Sequence, residues 1–358
     1  MSCCSGNKSC SVPSAVGAQN DVVHSSVSNF YAAEADRLQT NVPRVTQDVT
    51  ICAAYDPSSL GTSATTKKYA DALDKLHPDI KNASFGCGSP FPPALNGCSV
   101  LDLGSGMGRD VYILSYLVGN SGRVTGVDMT PKMIEISSKY IGWHSNVFGY
   151  ENVDFKLGYL EKLLDCGVKA NEYDVIVSNC VINLATNKRQ VFEDAYKLLK
   201  PGGEMYFSDI YVNRPIPDNL AKHELAYSNL VVSARCGSAW RHWTNMESFE
   251  TGVYTTLLFY ACFSGALEWT TFDKLVNEIG FLGPFVTHSK DYPLHPEELK
   301  TLLDGFTFWS RNCRLVKPKE SHSKDATICQ KVNEPTEVTE VVGNALKNSR
   351  YAEFFKFH

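Results

Sequence analysis

Residues Val100–Asp110, VLDLGSGMGRD, decide the fold. An apolar run reads as a strand ending at Leu103, glycines follow at positions 104, 106 and 108, and a helix is expected from about Asp110. Glycines between a strand and a helix let the backbone approach a ligand and present amide groups at a helix N-terminus. The pattern is G-x-G-x-G. It lacks the third glycine of the dinucleotide fingerprint, because Arg109 occupies that place. The spacing therefore favours S-adenosylmethionine over a dinucleotide.

Downstream, VTGVDMT (Val124–Thr130) ends a second strand and sets Asp128 at its carboxyl end, where a carboxylate accepts hydrogen bonds from both ribose hydroxyls. Two strand ends then bracket one nucleoside. Asp102 is placed to order the glycine loop or meet the cationic methionine end, and Gly158–Glu161 after the third strand to clamp the adenine. The expected cofactor residues are Phe85, Asp102, Gly104, Ser105, Gly106, Gly108, Arg109, Asp128, Met129, Tyr159, Leu160, Glu161 and Asn179.

Short apolar runs alternate with helical patterns from Cys98 onward, the signature of a mainly parallel sheet flanked by helices. Strands are predicted at 99–103, 123–127, 153–156, 173–178 and 204–208. Helices are predicted at 110–117, 131–148 and 189–199. The fold class is α/β, with a smaller α+β region after it. Residues 1–95 read as a loosely ordered extension holding helices near 22–36 and 65–76. Residues 96–215 form the cofactor domain and 216–317 the smaller region, with strands near 284–287 and 306–315. Residues 318–358 are a linker and a final helix.

With 43% hydrophobic residues in 358, the chain can bury a sizeable core. No apolar run approaches the roughly 20 residues of a membrane span, and the N-terminus lacks the apolar block of a signal peptide. A cytoplasmic protein without a membrane partner is expected. The net charge of −5, without a basic stripe, argues against nucleic acid.

Twelve cysteines are spread from Cys3 to Cys329, and in a reducing cytosol they are expected as thiols. No C-x2-C pair occurs, which argues against structural zinc, and no histidine has ligand spacing. Cys98, Cys166, Cys313 and Cys329 read as packing or surface residues. Cys3, Cys4 and Cys10 read as thiols of a tail, or as a first capture point for a thiophilic substrate. Cys180, in VSNCVINL (177–184), ends the fourth strand at the edge where ligands bind in such sheets, so it is expected to face the cofactor. Cys87 lies between Gly86 and Gly88, and Cys262 in an apolar stretch. A thiolate beside a sulfonium methyl is either methylated itself or holds a soft centre that is.

From about Asp21 onward the chain resembles the arsenite S-adenosylmethionine methyltransferases of the animal type. RLQTN, FGCG, LDLGSGMGRD, VTGVDMT, LGYLEKL, VSNCVINL, LKPGGEMYFSDIY, CFSGALEW and ALKNSRYAEFF occur in that order. The resemblance implies a Rossmann-like class I methyltransferase sheet and an arsenic-binding C-terminal region. It also implies that Cys87, Cys180 and Cys262 hold As(III) as thiolates. The substrate would be arsenite or its glutathione conjugate, in arsenic detoxification. In that family a fourth cysteine after LQTN cycles through a disulfide, which implies thioredoxin or glutathione as reductant, and a monomer is expected.

Three departures stand out. LQTN is followed by Val42 and Pro43, which leaves Cys52 to supply the fourth thiol. Phe85 replaces the usual tyrosine, keeping a ring for stacking and losing a hydroxyl. Residues 226–259 exceed the family pattern and carry Cys236 in ARCGSAW, a rival to Cys262. A methyltransferase for an organic acceptor and a metalloid-binding protein without turnover are the competing readings.

Overall fold

A computed structural model describes residues 15–39, 63–81, 83, 86, 88–217, 265–292 and 303–319. The elements, in chain order, are α1 (Ala15–Gln39), α2 (Ser63–Asp74), α3 (Pro78–Lys81), β1 (Ser99–Leu103), α4 (Arg109–Val118), β2 (Arg123–Asp128), α5 (Pro131–Lys139) and α6 (Ile141–Phe148). They continue with β3 (Val153–Leu157), β4 (Tyr173–Asn179), α7 (Lys188–Leu198), β5 (Leu199–Val212), β6 (Leu267–Glu268), α8 (Trp269–Ile279), β7 (Leu282–Tyr292) and β8 (Phe308–Val316). Short 3-10 turns lie at Leu160–Cys166 and Ile182–Leu184.

One sheet organises the described residues, in the order β3-β2-β1-β4-β5-β8-β7, with β6 paired to β5. The first five strands are parallel; β8 runs antiparallel to β5 and β7 antiparallel to β8. Chain order reverses between β1 and β4. A crevice opens outside the carboxyl ends of the strands at such a point. β1 is buried at every position, as a central parallel strand covered on both faces must be.

All five strands predicted between 99 and 208 form. Three differences have physical causes. The helix predicted over 131–148 is two helices, because Tyr140 leaves helical geometry (φ −98, ψ 5) while its hydroxyl bonds Asp79 and its ring lies 4.3 Å from that of His77. β5 runs to Val212 rather than Ser208, because β8 pairs with it from Glu204 to Val212. The strands of the smaller C-terminal region therefore extend the main sheet.

The third difference concerns the N-terminal stretch read as loosely ordered. Tyr69, Ala72, Leu76, Ile80 and Phe91 are buried in one core with Val100, Val111 and Val175. Ala35 of α1 joins that core, so helices α1 to α3 pack as part of the sheet's helical layer. Burying a Tyr, Leu or Ile there contributes about 1.5–3 kcal/mol apiece. No helix among the described residues is long and apolar enough to cross a membrane.

Candidate active site

An open cavity lies at the switch point, outside the carboxyl ends of the parallel strands. Its floor is the glycine loop. Gly104, Gly106 and Gly108 have φ of 73, 52 and 86, the left-handed region that side chains resist. A Cβ on Gly104 would also stand 2.4 Å from Val181, so the loop folds this tightly only with glycine there. The amides of Gly104 and Ser105 donate to the Val127 carbonyl (2.8 and 3.0 Å), which winds the loop onto the end of β2.

Three aspartates share the cavity: Asp102 from β1, Asp110 from α4 and Asp128 from β2. Asp128 accepts the Gly106 amide on one oxygen (2.9 Å) and the Thr130 amide on the other (2.8 Å). Burial pushes its carboxyl up, against the pull of those two amides. Burial, reinforced by Asp110 and Asp128, holds the Asp102 carboxyl well above its ordinary range. A cation entering this cavity relieves that repulsion. The Ser105 hydroxyl, buried in the lining, has no hydrogen-bond partner. A cationic, hydroxyl-bearing nucleoside fits this set of donors and acceptors.

A further part of the lining is built from two loops and α1. Glu161 accepts from the Thr186 amide (2.6 Å), the Thr186 hydroxyl (2.8 Å) and His24 Nε2 (3.2 Å). Burial pushes the Glu161 carboxyl up, but the bonds from Thr186 and His24 outweigh it and hold the carboxyl below its ordinary value. His24 also lies against the Tyr159 ring, 4.7 Å between centroids. With Val27 and Tyr31 it makes α1 one wall of the cavity.

Polar links join the cofactor loop to the cysteine-bearing segments. Arg109 donates to Asp110 (2.9 Å), Tyr69 (3.2 Å) and the Lys81 carbonyl (3.2 Å), tying α2 and α3 to the loop. Asn179 Nδ2 donates to Asp110 (3.1 Å) and to the Gly88 carbonyl (2.8 Å), and its Oδ1 accepts the Gly88 amide (3.2 Å). Close packing explains both flanking glycines. A Cβ on Gly86 would lie 2.1 Å from Asn179, and one on Gly88 would lie 2.3 Å from Ser208 Oγ.

Cys180, 4% exposed, lines the cavity directly after Asn179. Its φ of 58 is unusual for a residue with a side chain, and its amide donates to the Ser208 carbonyl (2.8 Å). The 3-10 turn after it is anchored by the buried Asp209, which accepts the Asn183 amide (3.2 Å); burial pushes that carboxyl up to about 7. Cys180 is disulfide-bonded, which corrects the expectation of thiols throughout. Cys98, Cys166 and Cys313 are thiols outside any disulfide; Cys98 and Cys313 are buried, and burial pushes the Cys313 thiol up to about 12, which makes it inert.

Of the residues expected from the sequence, Asp102, Gly104, Ser105, Gly106, Arg109, Asp128, Met129, Leu160, Glu161, Asn179 and Cys180 come together at the cavity. Gly108 instead caps the start of α4, and Tyr159, 42% exposed, turns outward against His24. Phe85, Cys87, Cys52 and Cys262 lie outside the described residues, as does the segment 226–259. Among the described residues no three His, Cys, Asp or Glu side chains converge as a metal site. Sequence reasoning missed His24, Val27, Tyr31 and Asp110. The spacing of Val27, Tyr31 and Ala35, four apart on one helix face, was the available signal.

A methyltransferase-domain family model matches residues 95–260. An arsenite methyltransferase of Homo sapiens is 34% identical over 81% of this chain and 74% of that protein. One from Aquipseudomonas alcaligenes is 36% identical over 82% of this chain and 72% of its own length. Among solved structures, an arsenic (III) S-adenosylmethionine methyltransferase from Chlamydomonas reinhardtii matches with a TM-score of 0.63 at 29% identity, covering 80% of this chain and 93% of that one.

Proposed function

The chain belongs to the arsenite methyltransferase family, and we propose that it methylates trivalent arsenic held on the thiolates of Cys87, Cys180 and Cys262. It is an S-adenosylmethionine-dependent methyltransferase. The cofactor, when bound, supplies an electrophilic sulfonium methyl group and leaves as S-adenosylhomocysteine. Asp128 and Glu161 would orient its nucleoside, and Asp102, with Asp110 behind it, would face its cationic end.

As(III) is soft, takes sulfur ligands, and keeps a lone pair for attack. A new As–C bond forms with that pair while the methyl–sulfur pair returns to sulfur. Arsenic rises by two in oxidation state. Two thiolates restore it by giving up two electrons and closing as a disulfide, which an external thiol must then open. The disulfide at Cys180 supports this reading, with thioredoxin or glutathione as reductant in a reducing, cytoplasmic setting. Cys52 is our candidate for the fourth thiol of the cycle, and the monomer our candidate for the working state.

One observation supports the assignment: β5 meets described residues beside Cys87, at Cys180 and a few positions downstream of Cys262. The Ser208 side chain is packed on Gly88, next to Cys87. The Ser208 carbonyl takes the Cys180 amide. Tyr211 and Val212 pair with Leu267 and Glu268, downstream of Cys262. The chain's contribution is position, which can lower a barrier by about 7–11 kcal/mol at best. A methyltransferase for an organic acceptor would need none of these thiols.

Arsenic X-ray absorption on the reduced protein with one equivalent of arsenite tests the ligand set. Three sulfur neighbours are expected in the wild type and two in each of Cys87→Ser, Cys180→Ser and Cys262→Ser. An unchanged three-sulfur shell in Cys262→Ser would move the third ligand to Cys236.

A further inference from the structure

Cys180 holds a backbone conformation that a residue with a side chain seldom takes, φ 58, and such a conformation persists only where the surroundings enforce it. Three consecutive residues of β5 supply the enforcing contacts. The Ser208 carbonyl takes the Cys180 amide (2.8 Å), Asp209 Oδ2 takes the Asn183 amide (3.2 Å), and the Ile210 carbonyl takes Asn183 Nδ2 (2.8 Å). Asp209 is itself fixed, because its Oδ1 accepts the Ile210 amide (3.0 Å). Asn183 and Asp209 are 4% and 2% exposed, and neither lines the cavity. A satisfied buried polar network of this kind specifies one arrangement of the chain.

The same turn meets the cofactor loop. Val181 packs so closely on Gly104 that a Cβ there would lie 2.4 Å from its side chain. The far end of the turn is tied separately: the Thr186 amide and hydroxyl donate to Glu161, and Lys188 Nζ donates to the Ala185 carbonyl (3.1 Å). The segment Cys180–Ala185 is thus fixed against both β5 and the glycine loop. We propose that Asn183, with Asp209, is a positioning residue of the methyl transfer. It sets where the Cys180 sulfur stands relative to the cofactor's methyl group, and it touches neither cofactor nor substrate. This rests on the reading of Cys180 as an arsenic ligand. A displacement of about 1 Å between reacting groups can cost on the order of 100-fold in rate, so a side chain outside the cavity can govern turnover.

The test uses Asn183→Leu, which is close in size and removes the side-chain donor, and Asp209→Asn, which keeps the shape and turns one acceptor oxygen into a donor. Two quantities are measured on the reduced full chain. One is kcat for methylarsenical formation at saturating arsenite and S-adenosylmethionine; the other is the rate at which iodoacetamide alkylates Cys180, read from the mass of its peptide. Asn183→Leu should lower kcat by on the order of 10- to 100-fold and leave the S-adenosylmethionine dissociation constant unchanged. Alkylation of Cys180 should be about 2- to 10-fold faster, the scale of one lost hydrogen bond. Asp209→Asn should move both quantities in the same directions. A merely structural role lowers the thermal midpoint and leaves kcat per cofactor-binding site at its wild-type value. Wild-type kcat in both variants, an unchanged alkylation rate in both, or a loss confined to cofactor affinity overturns the proposal. Should Asn183→Leu fail to fold, seen as lost cofactor binding, Asp209→Asn decides alone. Full turnover in Cys180→Ser would instead remove the ligand reading on which the proposal rests.

Discussion

At the scale of single residues, the cavity proposed for the cofactor concentrates buried carboxylates. Asp102 sits among Asp110 and Asp128 in a buried strand end, and burial with those neighbours raises its carboxyl. A cationic ligand favours the ionised form. Affinity for S-adenosylmethionine should therefore be full at pH values above the Asp102 carboxyl's raised pKa and fall as pH drops through it. Asp102→Asn should weaken binding and flatten that dependence, as calorimetric titration across pH would show; an unchanged slope would mean that Asp102 does not meet the cation. Asp102 and Asp128 were legible because each lies at the carboxyl end of a recognisable strand, beside the glycine loop. Asp110 was not, since its role comes from a hydrogen bond to Asn179, 69 residues away.

At the scale of elements, the segment flanking Cys87 is held by side chains from three strands, and Gly88 is the point of contact. Gly88→Ala places a methyl group 2.3 Å from Ser208 Oγ. Overpacking of that kind costs about 1–3 kcal/mol, and here the strain falls on the segment that carries a proposed ligand. Arsenite affinity should drop more than cofactor affinity, and adding Ser208→Ala should restore part of it. Equal loss of both affinities would show that the segment serves the cofactor alone. The strands of the sheet were read from apolar runs, whereas the break at Tyr140 was not. It arises from tertiary contacts with His77 and Asp79, and a helical pattern on either side conceals it. Gly86 and Gly88 suggested close approach, but the sequence could not say to what.

At the scale of the whole molecule, the described N-terminal helices and C-terminal strands converge on one mixed sheet. α1 was legible as a helix and illegible as a wall of the cavity, because its apolar face is short and interrupted by serines. His24 joins that wall to Glu161 and Tyr159. His24→Ala should raise the dissociation constant for S-adenosylmethionine by about 3- to 10-fold, the scale of one ordinary hydrogen bond, and leave cofactor-free arsenite binding unchanged. An unaltered cofactor dissociation constant would make α1 a support for the core only. β8 and β7 extend the sheet beyond β5, and that extension brings Asn312 beneath Gly88.

The measurement that bears most directly on the account is mass-resolved detection of methylated arsenic from purified protein with S-adenosylmethionine, arsenite and a thiol reductant. The account predicts methylarsenicals well above the enzyme-free blank, and their loss in Cys180→Ser. Full turnover in Cys180→Ser, or no methylarsenical from wild-type protein that binds S-adenosylmethionine, would contradict it.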